Sequence, residues 1–118
     1  MLAVATVSAQ IKIHTKIWAD EIKFEILNDD GDILCSGGPY KDNGTTYTAA
    51  CKIDPKVKDL TLKCIDTYGD GWHGGSLQFL GNIYCEDFRS GSLKTVRLHN
   101  PWNDASAEAH QHGGSQAH

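Results

Sequence analysis

The segment Ile22–Leu34, with the sequence IKFEILNDDGDIL, decides the fold of this chain. Its first half alternates apolar and charged side chains, which is the pattern of a β-strand with one buried face. The middle, at 28–32, breaks that alternation and contains Asp30-Gly31. Asp-Gly between two apolar runs is a strong hairpin signal, because both residues accept positive φ angles. The segment therefore predicts two antiparallel strands joined by a tight turn.

The same short alternating runs recur along the chain, with no convincing helical period between them. Other strands are predicted near 11–14, 45–53, 60–64, 77–79, 83 and 96–98. About eight short strands at spacings of roughly 8–12 residues are typical of an antiparallel sandwich. We therefore expect an all-β domain over residues 11–100, an antiparallel β-sandwich of the jelly-roll kind.

The composition is that of a single globular domain. The chain has 118 residues, of which 40% are hydrophobic and 22% charged, enough for one core. The net charge is -4 and the basic residues are scattered, so no basic stripe argues for nucleic acid. No apolar run approaches the length of a membrane helix, so no membrane span is expected.

Four cysteines, at 35, 51, 64 and 85, are interpreted as two disulfides. None forms C-x-x-C, which disfavours a zinc knuckle or a redox motif. Four cysteines allow three pairings; the sequential one, Cys35 with Cys51 and Cys64 with Cys85, closes short loops. Each bridge would stabilise the fold by ~3 kcal/mol in the chain-entropy model. The alternative is four buried free thiols in a cytosolic protein.

Two further features favour secretion. Residues 1–10, MLAVATVSAQ, resemble the end of a signal peptide cleaved after Ala9; alternatively they form an N-terminal arm or a first strand. Asn43-Gly44-Thr45 is an N-glycosylation sequon in a turn-rich segment, so Asn43 is a candidate glycosylation site. Together with the cysteines, these signals predict an extracellular protein.

The composition changes after Asn100. Residues 101–118 are predicted to form a tail without fixed structure, because 105–118 is rich in Ala, Gly, Ser, Gln and His. His110 and His112 form an H-x-H pair in it, and histidine-rich tracts can bind transition metals.

The glycine-rich loop 66–75 is the candidate calcium site. Asp66 and Asp70 supply anionic oxygens, and the glycines allow a tight turn that directs carbonyl groups inward. Calcium takes six to eight oxygen ligands, often from such a loop. Alternatively, the two carboxylates cap turn N–H groups without a metal.

Three side chains of this loop are candidates for ligand binding. Tyr68 and Trp72 beside carboxylates suit a sugar site, in which a ring stacks on the sugar and polar groups orient it. Alternatively, Trp72 plugs one end of the sandwich. His73 is a candidate ligand or hydrogen-bond donor, with a solvated surface position as the alternative. No motif for a nucleophile or a general acid–base pair is found, so we do not expect an enzyme.

Three segments carry a resemblance to a known family: DEIKFEI at 20–26, SGGPY at 36–40 and CIDTYGDGWHGGS at 64–76. They resemble secreted Y-G-D-G-W modules of extracellular and surface proteins in algae, protists and marine bacteria, over roughly residues 17–98. The resemblance implies an extracellular sandwich like a CUB domain in size and disulfide use. By the same analogy Glu21 joins Asp66 and Asp70 as the third calcium ligand. His73 departs from the asparagine usual in the family.

The expected function follows from a lone secreted module without catalytic groups. The first hypothesis is a structural or adhesive protein that binds copies of itself in a coat or filament, through strand edges and the segment Met1–Ile17. The alternative is a lectin-like module that binds extracellular glycans.

Overall fold

The computed structural model describes residues 5–103. Within this range the chain forms eight strands and a 3-10 turn at Ala19–Glu21. The strands are β1 Val7–His14, β2 Ile22–Leu27, β3 Ile33–Gly37, β4 Thr46–Ile53, β5 Asp59–Asp66, β6 Ser76–Phe79, β7 Asn82–Tyr84 and β8 Leu93–His99. No helix in the described part of the chain has the length and apolar character needed to span a membrane.

The strands form two four-stranded antiparallel sheets. The orders are β4-β1-β6-β7 in the first sheet and β3-β2-β5-β8 in the second. Among the described strands only β2–β3 and β6–β7 are consecutive neighbours within a sheet, and every other connection crosses between the sheets. The predicted all-β antiparallel sandwich is confirmed.

The alternation seen in the sequence sets which side chains enter the core. In β5 every second residue is buried, and in β2 the apolar positions of the opening segment all face inward. Residues of β1 meet them from the other sheet, since Ile11 and Ile13 belong to the same buried cluster as Phe24 and Leu62. The core therefore lies between the two sheets, as period-two patterning dictates.

The chain contains two disulfides, and the predicted sequential pairing is confirmed. Cys35–Cys51 joins β3 to β4 across a separation of 16 residues. Cys64–Cys85 joins β5 to the connection that follows β7, across 21 residues. No cysteine is free, so the alternative of four thiols is wrong.

The first strand of the domain begins at Val7, earlier than the predicted domain boundary at residue 11. Val7–Gln10, assigned above to a signal-peptide remnant or arm, form the first half of β1, and Ala9 is only 2% exposed. β1 pairs with β4 on one side and β6 on the other. Cleavage after Ala9 would remove part of a central strand, whereas the alternative of a first strand agrees with the structure. Residues 1–4 lie outside the described range.

The C-terminal boundary lies later than Asn100. The buried side chain of Asn100 donates to the carbonyl oxygens of Asp54 (3.2 Å) and Val57 (2.6 Å), and its Oδ1 accepts from Trp102 N at 3.2 Å. Asn103 Nδ2 donates to Pro55 O at 3.0 Å. Residues 101–103 therefore belong to the domain. The rest of the predicted tail, including His110 and His112, lies outside the described residues.

Four connections gather at one end of the sandwich: 15–21, 38–45, 67–75 and 85–92. We refer to it as the four-loop end. Backbone hydrogen bonds tie these loops in pairs, for example Gly44 N to Lys16 O (3.1 Å) and Trp72 N to Phe88 O (2.8 Å). Because the loops support one another, their side chains have defined positions.

Candidate cation site at the four-loop end

Strand pairing places the first two predicted ligands together. Asp66 is the last residue of β5 and lies opposite Ile22, the first residue of β2. Glu21 immediately precedes β2, and Thr67 N donates to its carbonyl oxygen at 2.9 Å. Two residues that are 45 positions apart in the chain thus share one corner, because the β2–β5 register holds their backbones side by side.

The Asp66 carboxylate organises the turn that follows it. Its side chain is fully buried, and its Oδ1 accepts from Tyr68 N at 3.1 Å. Its Oδ2 accepts from Gly69 N at 3.1 Å and also from Asp70 N. A carboxylate holding three N–H groups is a strong local organiser. Asp66 therefore caps the turn, as in the metal-free alternative, and this leaves it little capacity for a metal.

Gly71 brings the loop against the 85–92 connection. Its φ is +85°, and a Cβ there would lie 2.6 Å from the carbonyl carbon of Arg89. Gly71 N donates to Gly91 O at 3.2 Å. A side chain at this position would clash with backbone atoms, so the close approach requires glycine.

Trp72 is part of the core, and the expectation that it binds a ligand is corrected. Its side chain is 0% exposed, its Nε1 donates to Ile65 O at 2.9 Å, and its ring centroid lies 6.2 Å from that of Phe88. A fully enclosed indole has no face to offer a sugar. The anchor role follows from the glycine content of the loop, which leaves few other side chains to bury.

Two other aromatic side chains are exposed beside this corner. Tyr68, a predicted ligand-binding residue, is 77% exposed. Trp18 is 52% exposed, in the left-handed region at φ 57°, with its ring centroid 6.5 Å from that of His73. Trp18 was not among the predicted ligand-binding residues, although it lies only three residues before Glu21 in the chain. Exposed aromatic side chains with strained backbones are often found at functional sites.

Glu21, Asp70 and His73 form the cluster that can hold a metal ion. One ligand atom from each lies within 4.8 Å of the others. Glu21 Oε1, Asp70 Oδ1 and His73 Nε2 are shielded from solvent, and none has a hydrogen-bond partner. His73 Nε2 lies 3.1 Å from Asp70 Oδ2 without hydrogen-bond geometry. Two of the three predicted metal ligands, Glu21 and Asp70, thus lie in one cluster with His73. The third, Asp66, is not in that cluster and instead accepts hydrogen bonds from the turn.

The electrostatics of the cluster show crowding of negative charge. Burial, followed by the nearby Asp70 and Asp66 carboxylates, raises the pKa of Glu21 to about 7. The neighbouring Asp66 side chain, and then His73, lowers the pKa of Asp70 against the opposing effect of burial. A divalent cation among these groups would replace the proton that Glu21 otherwise holds. The donor set therefore fits a bound cation.

The predicted glycosylation site lies at the same end. Asn43 is exposed in the 38–45 loop, and its Oδ1 accepts from Ala19 N at 3.0 Å. The Thr45 hydroxyl donates to Asn43 O at 3.0 Å. Because the side-chain oxygen makes the bond to Ala19, an N-linked glycan on the nitrogen is compatible with this geometry.

Comparisons with models of known protein families, with curated proteins and with solved structures found no match. The roles considered below therefore rest on the geometry of the four-loop end.

Proposed function

We propose that this chain is a secreted, non-catalytic adhesive module that binds its partner at the four-loop end, beside a bound divalent cation. The observation that carries the proposal is that unpartnered acceptor atoms and exposed aromatic side chains both occur at the four-loop end. The shielded, unpartnered acceptor atoms of Glu21 and Asp70 lie on the same two loops as the exposed side chains of Trp18 and Tyr68, and the Trp18 ring centroid is 6.5 Å from that of His73. The first feature suits a cation, and the second provides an apolar contact surface beside it.

Calcium is the ion that an extracellular carboxylate cluster would meet at high concentration, and it is our starting expectation. Glu21 and Asp70 would supply the free carboxylates, and Asp66 would hold the loop in place behind them. The cation would offset the repulsion between these groups and join the 15–21 loop to the 67–75 loop. The proposed ion is thus a structural support for the binding surface.

Secretion is supported by the two disulfides, because such bonds persist in oxidising compartments. The exposed sequon at Asn43 agrees with that environment. These features support the proposed localisation outside the cell, with a glycan on the same end as the cation.

For the partner, we propose a second copy of the chain, in a coat or filament. Strands β3, β4, β7 and β8 are sheet edges, which can pair with another chain. The segment Met1–Ile17 was expected to provide such pairing, but Val7–His14 already pair with β4, and Ile11–His14 also pair with β6 on the other side. The four-loop end and the edge strands are therefore the surfaces proposed for self-association.

Glycan binding is the second candidate function, and the exposure of Trp18 and Tyr68 favours it. Sugar rings stack on aromatic faces while carboxylates accept bonds from sugar hydroxyls. Trp18 takes the place that was expected for Trp72 in this site.

Both partners can be tested with the full chain. Sedimentation velocity over a wide concentration range and a glycan array are each run with calcium or with chelator. We expect association or glycan binding that weakens in chelator and in Trp18→Ala. Leu80→Ala is the matched control, because Leu80 is 43% exposed but lies in the β6–β7 turn, at the opposite end and outside the edge strands. A monomer that binds no glycan would contradict the proposal, as would equal losses in both variants.

A further inference from the structure

We propose that His73 is a metal ligand and that the four-loop end selects a transition-metal dication of the zinc class over calcium. This inference rests on the proposed function, because it assumes that a cation binds there. It concerns which ion binds and which atoms hold it. The ligands are Glu21 Oε1, a carboxylate oxygen of Asp70 and His73 Nε2.

The first argument is that the His73 imidazole nitrogen lacks a hydrogen bond and lies close to a carboxylate. His73 Nε2 is shielded from solvent and makes no hydrogen bond, although Asp70 Oδ2 lies only 3.1 Å away. Two ligands of one tetrahedral zinc ion lie about 3.4 Å apart when each bond is about 2.1 Å. The observed separation is close to that value. The nitrogen and the carboxylate are therefore spaced like neighbouring ligands of one ion.

The second argument is the number of oxygens that calcium needs. Calcium takes about six to eight oxygen ligands, whereas zinc is satisfied by three protein ligands and one water. Asp66 already accepts three backbone N–H groups, so its oxygens are largely committed. If calcium bound only to Glu21 and Asp70, most of its oxygen ligands would have to be water molecules. With His73, the same two carboxylates supply the three protein ligands that a zinc ion needs.

The third argument is that His73 is held in place by its neighbours. Trp72, the residue before it, is fully buried, and Gly75 N donates to Trp72 O at 2.8 Å. The Trp18 ring lies beside the imidazole at an interplanar angle of 58°. A histidine fixed on both sides loses little freedom when it binds a metal, and nitrogen ligands favour zinc over calcium.

The experiment measures the melting temperature of the full, disulfide-bonded chain during titration with zinc or calcium after chelator treatment. A ligand that binds only the folded state raises the midpoint by mass action. We expect zinc to bind at least about tenfold more tightly than calcium. In His73→Asn we expect zinc affinity to fall by at least about tenfold, while calcium affinity is kept or increased.

Two control variants separate His73 from four of the other five histidines. His14→Asn changes an imidazole that bonds through Nδ1 to Thr46 Oγ1 at 2.8 Å, outside the cluster. A second variant replaces His110, His112 and His118 with asparagine. Both are expected to keep the zinc response of the unaltered chain.

The outcomes separate this inference from the proposed function. If calcium raises the midpoint and zinc does not, the cation site stands and the inference is overturned. An unchanged zinc response in His73→Asn also overturns it. If neither ion changes the midpoint, the cation in the proposed function fails as well. Zinc stabilisation that is lost in His73→Asn alone supports the inference.

Discussion

Replacing Trp72 with phenylalanine tests whether the Y-G-D-G-W loop is built around a buried anchor. The indole N–H is the donor to Ile65 O, at 2.9 Å, and the ring is wholly enclosed. Phenylalanine keeps an aromatic ring in the core but has no N–H group. The substitution therefore removes one hydrogen bond and some packing while leaving the rest of the loop sequence intact.

The expected loss in the free energy of unfolding of Trp72→Phe has two contributions. The Ile65 carbonyl would lose its buried side-chain donor, at about 1–3 kcal/mol. The smaller ring would leave a partly collapsed cavity, which costs about 1–2 kcal/mol. Together the free energy of unfolding should fall by about 3 kcal/mol. For a domain of this size that corresponds to a melting temperature lower by about 12–24 °C.

The assay is thermal and urea unfolding followed by circular dichroism, in chelator so that no cation contributes. Trp18→Phe is the matched control, because its ring is half-exposed and its loss should cost less than about 0.5 kcal/mol. A Trp72→Phe protein as stable as the control would refute the assignment of Trp72 as an anchor.

Three further predictions concern the same corner. Gly71→Ala should destabilise the chain by more than about 2 kcal/mol, because φ is +85° and the Cβ would meet Phe88 O; a chain that melts normally would contradict this. Stability of the metal-free chain should fall as pH rises from about 4.5 to about 7, since the folded state holds the Glu21 proton more tightly than the unfolded chain. Glu21→Gln should flatten that pH dependence of the melting temperature and raise the midpoint at pH 8, and unchanged curves would be evidence against the crowded cluster. Replacing Cys64 and Cys85 with alanine should cost about 3 kcal/mol in urea unfolding, from the loop that the bridge closes; a loss below about 1 kcal/mol would count against it.

The strands could be predicted from the sequence because their pattern is local. In the Ile22–Leu34 segment, alternation identified both strands and Asp-Gly marked the turn, and these features need no partner to be recognised. Residues 1–10 were interpreted as a signal-peptide remnant or arm, with a first strand as the alternative, because small apolar residues suit a signal peptide and a buried strand equally well. The pairing of Val7–Gln10 with β4 favours the strand over that part of the segment.

The candidate site was only partly predictable because it depends on contacts between distant loops. Asp70 was found from its own loop, and Glu21 came from the family resemblance. Trp72 is a core residue because its ring packs beside Phe88, a residue from another loop. Asp66 caps a turn because its carboxylate accepts hydrogen bonds from three N–H groups of the residues that follow it. His73 joined the cluster because the 67–75 loop lies beside Glu21, a contact between segments about 50 residues apart that no local pattern predicts.

The central claim is that the four-loop end holds a divalent cation. Native mass spectrometry of the full chain, purified without added metal and exchanged into a volatile buffer, tests it most directly. We predict one divalent ion per folded chain, and none in the Glu21→Gln/Asp70→Asn double variant with both disulfides intact. A metal-free native chain, or a double variant that retains the ion, would contradict the claim.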